Sequence, residues 1–129
     1  MSKYHKKEEI NTINIQLVAL LFTLITAIIS IIITYNQKLE LEEKETILSP
    51  KDSLKLTLFN RKLILLISFV FLYVNFTLLK ISKEEGEDLK PYNLQILASL
   101  FIIVSGIIAL YVVNLSTTEN VADVENPLI

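Results

Sequence analysis

Three groups of side chains in this sequence are of types that do chemistry. They are the acidic run Glu84-Glu85-Gly86-Glu87-Asp88, the single histidine His5, and the amides and hydroxyls set into long apolar runs. Clustered carboxylates attract divalent cations, but a calcium loop alternates its ligands and closes on a distal Glu, and this run does neither. It reads as a solvated turn. His5 stands beside Lys6 and Lys7 and reads as a solvated residue rather than a ligand. With no cysteine, thiol catalysis, disulfides and thiolate-held metal are excluded. Carboxylates without a partnering base or nucleophile make no catalytic constellation. The expectation is a protein that is not an enzyme, with no catalytic, cofactor-binding or metal site.

The amides and hydroxyls take their meaning from the segments that hold them. Ile13 to Asn36, Leu63 to Leu79 and Tyr92 to Thr118 contain no Asp, Glu, Lys, Arg or His. A helix needs about 20 apolar residues, within a range of about 17–25, to cross a ~30 Å hydrocarbon core. All three runs reach that length, so the fold class is an all-α membrane protein with three transmembrane helices. A chain of 129 residues, 52% hydrophobic with mean hydropathy +0.52, has room for one small membrane domain. Its net charge of −2 leaves no basic footprint for nucleic acid. The lipid bilayer is the first expected partner.

The flanks of the runs predict how the helices end. Gln37 to Lys44 are nearly all good helix formers, so the first helix should continue outward, with a Glu40–Lys44 pair and a break at Thr46 to Ser49. Ser49 can cap the second helix, with Pro50 at its first position and Asp52 at its third. That helix should run about 30 residues, roughly 45 Å, which exceeds the membrane core. Helices 1 and 2 are therefore expected to extend beyond the bilayer as a projecting hairpin, or to lie as an amphipathic collar in the interface. Asp88 is the expected cap of helix 3. The domain reading is a polar tail at 1–9, a three-span domain at 10–116 with spans near 13–36, 62–80 and 93–115, and an acidic, disordered tail at 117–129.

Within the spans, small and polar residues fall on stripes. On the first helix Gln16, Ala19, Thr23, Thr26, Ala27, Ser30 and Thr34 share about 100° of surface. On the third, Gln95, Ala98, Ser99, Ser105, Gly106 and Ala109 do the same. The two segments echo one another at an offset of 79, with seven identities among seventeen residues from Asn14 and Asn93 onward. Helix 2 carries Arg61, Ser68 and Asn75 at seven-residue spacing on one face. Lipid offers no hydrophobic drive between helices, so small residues and interhelical hydrogen bonds supply the association. These positions are expected to be helix-packing seams, with Asn75 bonding a neighbouring helix or another protomer.

No ionisable residue lies in the uncharged runs, which disfavours a proton-coupled pump or an ion pathway acting alone. Lys3, Lys6 and Lys7 precede the first span, and no basic residue follows the third. Both facts favour a cytoplasmic N-terminus and an outside C-terminus in a cell membrane, although the total basic count on the two sides is nearly equal. The functional expectation is a small non-catalytic subunit that binds another membrane protein or itself, with no small-molecule substrate identified. The alternatives are a pore-forming, holin-like protein and a small-solute carrier acting as an oligomer.

Overall fold

The computed structural model describes residues 3–115, with side chains from His5 onward; the tail expected at 117–129 lies outside the described residues. Three helices follow one another: α1 (Lys3–Leu41), α2 (Pro50–Glu84) and α3 (Lys90–Leu115). Each is long and apolar enough to cross a membrane, and the described residues contain no strand. The fold is therefore the all-α, three-span architecture. At 39 and 35 residues, α1 and α2 are about 58 and 52 Å long and outrun a ~30 Å core.

The polar stretch before the first apolar run is not a separate tail. Helix α1 already begins at Lys3, and its first turns lie against the end of α2 through His5. Lys6, Lys7, Glu8 and Glu9 are helix formers, so propensity and packing act together there.

Both turns close with the same backbone device. After α1 the amide of Glu43 bonds the Glu40 carbonyl at 3.1 Å, and that of Lys44 bonds the Leu39 carbonyl at 2.9 Å. After α2 the amide of Gly86 bonds Lys83 at 3.3 Å, and that of Glu87 bonds Ser82 at 3.0 Å. This pattern satisfies the last carbonyls and requires a left-handed residue at the hinge. Gly86 (φ 72°) fills that place without steric cost, whereas Glu43 (φ 57°) fills it with a Cβ. Helix α1 thus stops at Leu41, earlier than its helix-forming flank suggests. The expected Glu40–Lys44 pair is replaced by Lys44–Glu42 at 2.7 Å.

The start of α2 is built as its sequence suggests, with the Ser49 hydroxyl accepting from the Asp52 amide at 3.1 Å and Pro50 opening the helix. At α3 the cap position falls to Leu89, whose carbonyl takes the first helical bond from Asn93. Asp88 sits one residue earlier and accepts from the Lys90 amide at 3.1 Å.

Helix α2 packs against both α1 and α3, and among the described residues the backbones of those two do not come together. The buried positions recur at seven-residue intervals. On α1 they are Thr12, Ala19, Thr26 and Ile33; on α2 they are Asn60, Ile67, Val74 and Ile81; on α3 they are Ser99, Gly106 and Val113. A seven-residue repeat is the mark of left-handed, small-angle helix packing.

Candidate interaction surface

An amide–hydroxyl bond ties α2 to each of its neighbours. Toward α1, Asn60 Nδ2 donates to Ser30 Oγ at 2.9 Å, with both residues buried. Toward α3, Asn75 Nδ2 donates to Ser99 Oγ at 2.6 Å. Gly106 lets α3 come close, since a Cβ there would stand 3.2 Å from Leu65 Cδ1 of α2. The remaining hydroxyls largely return to their own helix: Thr23 donates to the Ala19 carbonyl, Thr26 to that of Thr23, and Ser68 to that of Ile64.

These bonds also fix the register. Counting the antiparallel pair from Ser30–Asn60 places Arg61 level with Ile29, inside the uncharged run of α1. Arg61 is 2% exposed. A buried guanidinium therefore lies at the depth of apolar neighbours, although no apolar run contains a charge in its own sequence. Arg61, Ser68, Asn75 and Ser82 form a second seven-residue row on α2, and all but the half-buried Asn75 are buried.

Around α2, Asn60 and Leu65 stand about 140° apart, and Ser68 and Asn75 fall between them. A notch of about 290 Å³ lined by Ser68, Phe71, Asn75, Gln95, Ala98, Ser99 and Ile102 opens in that angle. A second groove, of about 480 Å³, runs along the other side of α1 between Ile15, Val18 and Phe22 and Leu63, Leu66 and Val70. Its lining is almost wholly apolar. Ala19 of the small and polar stripe also lines that groove, while Gln16, Thr23, Ala27 and Thr34 of the stripe turn the other way, to the side toward α3. The stripes of α1 and α3 thus border one crevice, with α2 as its floor.

The stripe residues divide between seam and crevice. Ala19, Thr26, Ser30, Ser68, Ser99, Gly106 and Ala109 are buried in the bundle. Gln16, Ala27, Asn75 and Ser105 are half-buried, while Thr23, Thr34, Gln95 and Ala98 are exposed. The echoed positions are not used alike, for Ala19 is buried and its counterpart Ala98 is open.

Three polar sites lay outside the stripes. Asn60 belongs to the polar flank of the second span, and only the spacing Ser53, Thr57, Asn60 would have set it on a packed face. Asn36 organises the first turn: its Oδ1 accepts from the amides of Ile47 and Leu48, both at 2.8 Å, and its Nδ2 donates to the Leu48 carbonyl. His5 is not solvated as expected. Its Nδ1 lies 3.0 Å from Glu85 and its Nε2 meets Glu84, with 16% of the side chain exposed. Burial opposes the charge on its ring, and the hydrogen bonds and charges of Glu84 and Glu85 outweigh that and raise its pKa.

No group of three or more His, Cys, Asp or Glu among the described residues is arranged to hold a metal. No family model matches the chain, and neither curated proteins nor solved structures gave a match.

Proposed function

We propose that this chain is a small, non-catalytic membrane protein of the cell membrane that associates with another membrane protein or with itself through the α1–α3 crevice. Its N-terminus is assigned to the cytoplasm and its C-terminus to the outside. The observation that carries the reading is that the small and polar stripes are only half used within the chain. Thr23, Thr34, Gln95 and Ala98 stay exposed on the crevice side. A primary amide such as Gln95 facing hydrocarbon is costly unless a partner satisfies it, and small residues beside it admit a close helix.

The absence of native cysteine makes the test direct. Single variants Thr34→Cys and Ala98→Cys are expected to crosslink in native membranes to a second copy or to a co-purifying membrane protein. Ile107→Cys, 51% exposed and on the opposite side of α3 from Ala98, serves as the outward control. Equal crosslinking at all three sites, or none at any, defeats the proposal. Dye leakage on overexpression, without a crosslinked partner, would favour the pore-forming alternative.

A further inference from the structure

We propose that the outward face of α2 near the hairpin tip is a docking surface for anionic phospholipid headgroups, with Lys51, Lys55 and Lys62 as its contacts. The three lysines share the side of α2 turned away from α1 and α3, and all are exposed. Phe59 (57% exposed) and Leu66 (61% exposed) lie in the same row, so the face is apolar between its cations.

Register supplies the depth. Counting from the Ser30–Asn60 bond, Lys62 is level with Ile28 and Lys55 with Tyr35, both inside the uncharged run of α1. These ammonium groups are thus set beside apolar helix rather than far out in water. A lysine in that position lays its stem along apolar surface and lifts its charge to the headgroup layer.

Charge points to the same occupant. Glu42 of the acidic loop after α1 takes both Lys38 and Lys44, and none of that loop's carboxylates pairs with Lys51, Lys55 or Lys62 among the described residues. Lys51, Lys55 and Lys62 make no ion pair with the described residues. Asp52 is the one acidic residue between Pro50 and Leu79, set against these three lysines. Anionic lipid supplies the missing counter-charge at that depth, and each lysine near such a surface strengthens binding about five-fold.

The chain has no tryptophan, so Phe59→Trp places a single reporter among the lysines. The full chain carrying it would be reconstituted with brominated phosphatidylglycerol or brominated phosphatidylcholine at equal mole fraction. Stronger quenching by phosphatidylglycerol is expected, weakened by salt and abolished by Lys51→Gln, Lys55→Gln and Lys62→Gln together. The same lysines changed to Arg should keep the preference. A reporter at the mid-membrane Tyr73→Trp should show none. Equal quenching by both lipids, or a preference that survives the triple Gln variant, overturns the assignment. Should the triple variant fail to fold, the three single Gln variants serve, and an unchanged preference in all of them has the same force.

Discussion

His5 ties the first turn of α1 to the end of α2 through Glu84 and Glu85, and its protonation decides how strongly. The two carboxylates raise its pKa in the folded chain above the ordinary value of about 6.5. A raised folded-state pKa contributes stability that is fully present below about pH 6.5 and is lost as pH rises through the folded-state value. Resistance to unfolding in mild detergent should therefore fall as pH rises above about 6.5, and His5→Gln should flatten that dependence. Glu8, one turn further along α1, is on the same helix and must be kept constant in the comparison. A His5→Gln chain that keeps the slope would assign the dependence to other groups. Asn75 is the second residue to test. Asn75→Leu removes the bond to Ser99, while the Ser99 hydroxyl can turn back to its own helix. A loss of about 0.6–2 kcal/mol is expected, read from unfolding in detergent. An unchanged chain would mean that the 2.6 Å bond carries no net stability.

At the scale of the helices, Gly106 and Ala27 occupy equivalent places in the sequence echo but different places in the bundle. Gly106 is buried against Leu65, while Ala27 is half-buried on the crevice side. Gly106→Leu should overpack the α2–α3 seam and cost about 1–3 kcal/mol of stability. Ala27→Leu should cost less stability and act on association instead, because its side faces the crevice. Ile25→Phe and Val104→Phe, on residues 46% and 53% exposed, are the lipid-facing controls and should change neither property. Equal behaviour of all four variants would dissolve the distinction between seam and crevice. The three spans were legible because charge stops at their edges, and the start of α2 because Ser49, Pro50 and Asp52 each suit one position. The end of α1 was not, since its left-handed hinge is Glu43 where glycine would have announced it. His5 was unreadable for a different reason: its partners lie 79 and 80 residues away, and only the register of α1 against α2 brings them together. Asn60 was hidden by its polar neighbours, which marked it as hairpin surface rather than seam.

For the whole molecule, connectivity and packing make one demand on topology. Three helices joined by an eight-residue loop at 42–49 and a five-residue loop at 85–89 must alternate in direction. The bonds between Asn60 and Ser30 and between Asn75 and Ser99 hold α2 antiparallel to both neighbours. The two loops must then emerge on opposite faces, with His5 and Glu85 at one end and Lys44 at the other. Reporter fusions at Lys44 and Glu85 should accordingly give opposite signals, and the positive-inside reading assigns Glu85 to the cytoplasm. That assignment is weakly determined by charge alone, because Lys38, Lys44, Lys51, Lys55, Arg61 and Lys62 oppose Lys3, Lys6, Lys7, Lys80, Lys83 and Lys90. Exchanging Lys51, Lys55 and Lys62 for Gln should remove half of the six opposing charges and make the orientation more uniform, with the Glu85 reporter retained inside. A rise in outside signal at Glu85 in that variant would reverse the assigned orientation, and equal signals from Lys44 and Glu85 in the unchanged chain would end the three-span arrangement itself.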